Sequence, residues 1–179
     1  MKLLSIDREN TENDWKRVHN SEFITVYKKN TGDSPVVLLK AYSYMRDVPA
    51  NVTIEFIHDL KLRAQWDNVL HNMKSFDHRG PNVDVMYSLF KAPFGMSNRD
   101  FVQLRTRGKD VEDAEHIIHM VSIDHPDAPK IKGVVRAHTY ISGYVVRTWK
   151  DEKGQAIGSV MTVVTQTDIG VRIYQPFSY

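Results

Sequence analysis

In the segment Arg63-Ala64-Gln65-Trp66-Asp67, a guanidinium and a carboxylate stand four residues apart, the spacing that lets two side chains pair across one turn of helix. Such a pair is either a structural tie between a helical turn and a neighbouring sheet or a device that fixes the direction of the guanidinium fork. A second group of residues lies at strand spacing. If Phe101 faces the interior, alternation brings Gln103 and Arg105 to the same face and turns Val102 and Leu104 away. By the same rule Arg136, His138 and Tyr140 share one face. Of these, His138 is the one candidate general base. The chain supplies no nucleophile elbow, phosphate-binding glycine loop or zinc-protease motif to work with it. His116 and His119 would make a ligand pair on a helix; on a strand their offset of three sends them to opposite faces, so no metal is expected. Arg99 and Asp100 read as a structural pair where a loop enters a strand. Without a plausible acid or nucleophile partner for His138 these residues give catalysis little support, and no cofactor is expected.

The elements that carry these residues are legible in outline. Asn13 to His19 reads as the end of a short helix bearing Trp15. Glu22 to Lys28 alternates as a strand, Asn30-Thr31-Gly32-Asp33 is turn chemistry, and Val36 to Tyr44 forms the second strand of a hairpin. Pro49 opens a helix whose apolar face is Val52, Phe56 and Leu60, with Ile57 beside them. A further helical turn carries Arg63 to Asp67. Beyond it, Val83 to Phe90, Asp100 to Arg107, His116 to Ile123, Val134 to Thr148 and Ile157 to Gln166 are strands rich in β-branched and aromatic residues, separated by Gly/Pro/Asp clusters. Two opening strands, a helical insertion and a long antiparallel run point to an α+β domain with a curved sheet.

The whole-chain figures fit that reading. A chain of 179 residues forms one domain, and 41% hydrophobic with 26% charged residues is an ordinary globular balance. The net charge of +2, with no basic block, argues against nucleic acid as a partner. The chain has no cysteine, which excludes disulfides, thiolate zinc sites and cysteine nucleophiles. The apolar stretch in MKLLSIDREN is too short for a signal peptide, and no segment is long enough to span a bilayer, so a cytoplasmic protein is expected.

Taken together, Trp15, the Arg63–Asp67 segment, APFGMSNRDF at Ala92 to Phe101, Gly133-Val134-Val135-Arg136-Ala137 and Asp168 resemble START lipid-transfer domains in order and spacing, most of all the phosphatidylcholine-transfer branch. The resemblance runs from about Trp15 to Ile173. It implies a helix-grip fold of the START/Bet v 1 kind, in which a curved antiparallel sheet and a C-terminal helix enclose one lipid. It also implies non-enzymatic binding and intermembrane transfer, with peripheral, transient contact to a membrane surface. Residue by residue, the branch places its phosphate-contacting arginine at Arg63 with Asp67 as partner. Its aromatic cage for choline falls at Tyr140, at Phe101 and, where the family has tryptophan, at Ser88, which counts against choline. Phe94 and Met96, apolar among Pro, Gly and Ser, fall in the loop near the cavity mouth and are expected to gate it and touch the membrane.

A phosphatidylcholine-like phospholipid is thus the first expectation and a sterol or other neutral lipid the second. The sterol branch resembles this chain at Arg105, but its cavity acid on the preceding strand falls near Ser88, where no acid stands. A helix-grip enzyme using His138, or a lipid-sensing module, is a further alternative. At the C-terminus the resemblance breaks: Asp168-Ile169-Gly170-Val171-Arg172-Ile173 leads to Tyr179 with Pro176 late and no room for the long lid helix. Residues 1–179 are therefore expected to form a single START-like domain, truncated at the C-terminus.

Overall fold

The computed structural model describes residues 2–12, 14–110 and 115–170. Helix α1 (Lys2–Arg8) comes first, followed by strands β1 (Lys16–Asn20), β2 (Ile24–Lys29) and β3 (Leu38–Arg46). Two short helices follow, α2 (Ala50–His58) and α3 (Leu60–Trp66). The rest is strand: β4 (Leu70–Phe76), β5 (Val83–Phe90), β6 (Arg99–Asp110), β7 (Glu115–Ser122), β8 (Val135–Arg136), β9 (His138–Lys150) and β10 (Ala156–Asp168). They form one curved sheet in the order β1-β2-β3-β10-β9-β7-β6-β5-β4, antiparallel throughout except that β8 pairs with β6 in parallel. The expected α+β helix-grip class is the one observed, with three helices among the described residues. The expected absence of a C-terminal lid helix concerns residues 171–179, which lie outside the described residues.

The two faces of the sheet are covered differently. On the outer face, Leu3 and Ile6 of α1 pack with Trp15, Ile117, Ile141, Val145 and Val164. Gly143 permits that approach: a Cβ there would meet the Ile118 carbonyl oxygen at 2.4 Å and Leu3 Cδ2 at 2.5 Å. Lys40 is fully buried and acts as the C-terminal cap of α1, its ammonium donating to the carbonyls of Ile6 (3.0 Å) and Glu9 (2.6 Å). It also stands 4.6 Å from the centre of the Trp15 ring. Burial holds that ammonium below the ordinary lysine pKa, although Glu9 and Asp7 oppose the shift.

On the inner face, α2 lies over β7, β9 and β10. Its buried stripe is Ala50, Thr53, Ile54 and Ile57, packed on Met86, Ile118, Met120 and Val146. Thr53 Oγ1 is hydrogen-bonded to Ser159 Oγ at 2.8 Å, so the one polar member of the stripe is satisfied. This corrects the expected face, since Val52 and Phe56 are exposed (38% and 47%). Both repeats fit helical spacing, and the 100° offset between them is decided by the shape of the sheet beneath.

Other boundaries also moved. Residues 16–19, expected at the end of a helix, belong to β1, and the helix lies earlier, at α1. Strand β4 was not anticipated: LHNMKSF, exposed or half-buried at the sheet edge, lacks an apolar alternation. The run expected from Val134 to Thr148 is broken at Ala137 into β8 and β9.

Candidate functional site

Asp59 sets up the first part of the site. It ends α2 and caps α3, its carboxylate accepting from the backbone N–H groups of Lys61 (2.8 Å) and Leu62 (2.9 Å). Those N–H groups hold it below the usual carboxylate pKa. One turn on, Arg63 reaches the inner face of the sheet. Its Nε and Nη2 donate to Asp67 Oδ2 at 3.2 and 3.0 Å, and its Nη1 donates to the Tyr144 hydroxyl of β9 at 3.1 Å. The Trp66 ring lies 5.0 Å from the guanidinium carbon. Burial opposes the charge, but Tyr144 and Asp67 outweigh it and hold the guanidinium above its ordinary pKa. Of its five N–H groups three have partners among the described residues, which leaves two open there.

Arg63 and Tyr144 border a cavity of about 400 Å³ between α3 and the concave sheet. Its apolar wall includes Leu39, Met73, Met86, Phe90, Phe101, Met120 and Ile169. Phe90 and Phe101 meet edge to face, ring centres 5.3 Å apart, across the β5–β6 pairing. The polar wall is Ser88, Gln103, Thr139, Ser142, Thr165 and Thr167. Part of it is one hydrogen-bonded row: Gln103 Nε2 donates to Thr139 Oγ1 (2.9 Å), Thr167 Oγ1 donates to the same oxygen (3.2 Å), and Thr165 and Thr167 hydroxyls share a bond of 2.9 Å.

The expected site residues divide. Arg63, Ser88, Phe101 and Gln103 line this one cavity, and Asp67 holds Arg63 from behind. His138 and Tyr140 do not line it and are corrected. Both are exposed, their rings paired edge to face at 4.7 Å. A β-bulge explains why: Ile141 pairs with Gln166 and Thr139 with Thr167, so Tyr140 is the extra residue and the alternation reverses there. Ser142 and Tyr144 face inward as counting by two requires, and beyond the bulge Thr139 takes the inward place that Tyr140 was expected to hold.

Arg105 is also corrected. It faces inward but lies outside the cavity lining, making a two-pronged ion pair with Asp84: Nε to Oδ1 at 2.9 Å and Nη2 to Oδ2 at 2.8 Å. Its Nη1 donates to the His58 carbonyl at 2.9 Å. The acid opposite Arg105 is therefore Asp84, its register partner on β5, and not a residue near Ser88. Burial raises the Asp84 pKa, but Arg105 and a hydrogen bond from Ser75 prevail and hold it below the usual range. The expected Arg99–Asp100 pair is replaced by Asp100–Arg136, joined at 2.8 and 2.9 Å, which ties β8 to β6.

Phe94 stands fully exposed (107%) and Met96 is 45% exposed in the loop between β5 and β6. A turn closed by Met96 N–H donating to the Pro93 carbonyl (3.1 Å) lifts Phe94 outward, with Gly95 at φ +84° in the left-handed region. Sequence reasoning missed Tyr144, Thr139, Thr165 and Thr167. The last two alternate along β10 and were open to the same period-two argument, whereas Thr139 is masked by the bulge.

A family model described as START domain matches residues 1–176. The chain belongs to the START domain family. Among relatives of this START domain, START domain-containing protein 10 of Mus musculus is 31% identical over 105 residues, covering 57% of this chain and 34% of that protein. The phosphatidylcholine transfer protein of Bos taurus is 29% identical over 128 residues, covering 70% of this chain and 59% of that protein. The chain thus corresponds to only part of the length of either relative. Among solved structures, human StAR-related lipid transfer protein 5 superposes with a TM-score of 0.85 at 18% identity, over 97% of this chain and 80% of that one. Human STARD10 superposes with a TM-score of 0.82 at 24% identity, over 96% and 67%. These structures establish the shared fold. No described helix is long and apolar enough to cross a membrane.

Proposed function

We propose that this START domain binds one lipid in the cavity beside Arg63 and carries it between membranes without chemical change, and that the lipid is a phospholipid of the phosphatidylcholine type. The observation that carries the reading is the Arg63 guanidinium, braced by Asp67 and Tyr144, with two N–H groups left over at the edge of an apolar cavity. A phosphodiester oxyanion fits those donors, and the surrounding Met and Phe side chains suit acyl chains. The name of the bovine relative, phosphatidylcholine transfer protein, supports the same class. Phe94 and Met96 are assigned the role of a gate that touches the membrane surface during exchange, in a protein that works peripherally from the cytoplasm. His138, exposed on the outer side of the bulge, has no part in this reading, and a catalytic function is not proposed.

A sterol or other neutral lipid is the second reading. Ser88 in place of a tryptophan and Tyr140 outside the cavity favour it, because only Phe101 remains of the expected choline cage. Mass spectrometry of lipid recovered from the purified protein separates the two. Replacing Arg63→Met together with Asp67→Leu removes the guanidinium without stranding a buried carboxylate. Recovery of phospholipid is expected to fall about tenfold or more, as loss of charge-assisted hydrogen bonds dictates. Undiminished phospholipid recovery by a folded double variant would sink the phosphate assignment.

A further inference from the structure

Gln103 and Thr139 line the cavity and are both deeply buried, 6% and 2% exposed. Their hydrogen bonds do not close. A hydroxyl has one hydrogen and two lone pairs. The Thr139 oxygen accepts from Gln103 Nε2 at 2.9 Å and from Thr167 Oγ1 at 3.2 Å, which fills both lone pairs. Its own hydrogen has no acceptor among the described residues, and Gln103 Oε1 accepts no hydrogen bond among them either. One free donor and one free acceptor therefore stand side by side on the cavity wall, with Met86, Phe101 and Met120 around them. Buried polar groups are ordinarily paired, and each one left open marks a place where something else supplies the partner.

The surroundings fix this pair rigidly. Gln103 sits in the middle of β6, between Met86 of β5 and Ser122 of β7. Thr139 is turned inward by the bulge at Tyr140, and its backbone N–H donates to Ser122 Oγ at 2.8 Å. Thr167, bonded in turn to Thr165, holds the Thr139 hydroxyl from the β10 side. Thr139 and Tyr144 are five residues apart on β9, on the order of 15 Å of strand, so the pair is an anchor separate from Arg63.

We infer that Gln103 and Thr139 form a second polar subsite that reads a hydroxyl group on the bound lipid; this rests on the reading of the cavity as a lipid site. A phosphate or ester oxygen only accepts, and a trimethylammonium does neither. The N–H and C=O of an amide point in opposite directions and do not converge on one spot. Among these lipid groups, a hydroxyl accepts from Thr139 and donates to Gln103 through a single oxygen. The hydroxyl belongs either to a free lipid alcohol, as in the neutral-lipid reading, or to a polyol head that takes the place of choline on the same phosphate.

The test uses the full chain, incubated with vesicles and re-isolated, with bound lipid counted by mass spectrometry. One arm offers diacylglycerol against triacylglycerol in equal amounts, and the other offers phosphatidylglycerol against phosphatidylcholine. The wild type is expected to enrich the hydroxyl-bearing member of at least one pair roughly tenfold, as one or two added hydrogen bonds allow. Enrichment in the first arm assigns the hydroxyl to a lipid alcohol and in the second to a headgroup. Gln103→Met and Thr139→Val are expected to lose the enrichment, and Thr139→Ser, which keeps the hydroxyl, to retain it. Should Gln103→Met not fold, the contrast between the two Thr139 variants decides alone. A lipid-loaded wild type with no enrichment in either arm, or enrichment that survives in Thr139→Val, overturns the subsite and leaves the lipid cavity standing. Recovery of no lipid in any arm overturns the cavity reading, and the subsite with it.

Discussion

The Tyr144 hydroxyl accepts a hydrogen bond from Arg63 Nη1 at 3.1 Å and so keeps its own hydrogen free. Arg63 comes from α3 and Tyr144 from β9, 81 residues later, so the contact ties the helical cover to the sheet at the cavity edge. Asp67 holds the guanidinium from the other side. The fork is thereby fixed, with two N–H groups and one O–H group that have no partner among the described residues and that the proposed phosphate would use.

On the proposed phospholipid reading, that geometry gives Tyr144 a ligand contact as well as a bracing role. Tyr144→Phe is expected to weaken phosphatidylcholine binding by about threefold to tenfold, the worth of one net hydrogen bond. The ring remains, so packing against the cluster that contains Met86 and Ile118 is kept and the thermal midpoint should move little. Equilibrium titration with a fluorescent phosphatidylcholine, beside a melting curve, measures both. Unaltered affinity would return the hydroxyl to a purely structural role.

The Asp84–Arg105 pair invites a different measurement. Both side chains are about nine-tenths buried, at 10% and 6% exposure, and the pair lies beyond the cavity lining. Arg105→Leu leaves the Asp84 charge without its partner and is expected to cost about 3–5 kcal/mol of stability, read by urea denaturation. The pH dependence follows from the direction of the Asp84 shift. Its folded pKa lies below its unfolded value, so its stabilisation is complete above the unfolded carboxylate pKa of about 3.9. It fades as the pH falls through the folded value. His58, on the same side, is held below the ordinary histidine pKa by burial and by Arg105 and Arg107, so its protonation also costs stability, beginning near pH 6.5. Asp84→Asn should therefore keep and somewhat deepen the loss of stability between pH 7 and 5, because the Asp84 charge favours the His58 imidazolium, and flatten the loss below about pH 4. An acid limb identical in wild type and Asp84→Asn would contradict the assignment.

Much of this molecule is legible in its sequence, and the exceptions share a cause. Strands β5, β6, β7 and β10 declared themselves through long β-branched and aromatic runs. Arg63 and Asp67 paired as four-residue spacing predicts. Period-two counting from Phe101 correctly brought Gln103 to the cavity and Arg105 to the inner face. The same counting failed for His138 and Tyr140 because a bulge inserts one residue and nothing local in HTYIS signals it. The polar partners were the other blind spot. Asp84 and Arg105, like Tyr144 and Arg63, are joined only by sheet register or helix docking, which one strand's pattern does not encode.

Phe94 offers the most direct test of exchange at a membrane. Its ring has no cover, and it rises on a turn whose Gly95 adopts a left-handed conformation, beside the partly exposed Met96. Burying a phenylalanine ring in the apolar part of a bilayer yields about 1.5–3 kcal/mol, whereas a carboxylate at that place resists entry. Phe94→Asp should therefore slow lipid extraction from phosphatidylcholine vesicles on the order of tenfold to a hundredfold. Because the side chain touches nothing in the free protein, its melting temperature should stay within a degree or two of wild type, as for surface substitutions of about 0.5 kcal/mol or less. Affinity for lipid presented as monomers below their aggregation limit should also hold, since Phe94 does not line the cavity. Slower extraction with unchanged monomer binding locates the defect at the membrane. Equal loss in both would mean the loop shapes the cavity itself, and the gate assignment would fall.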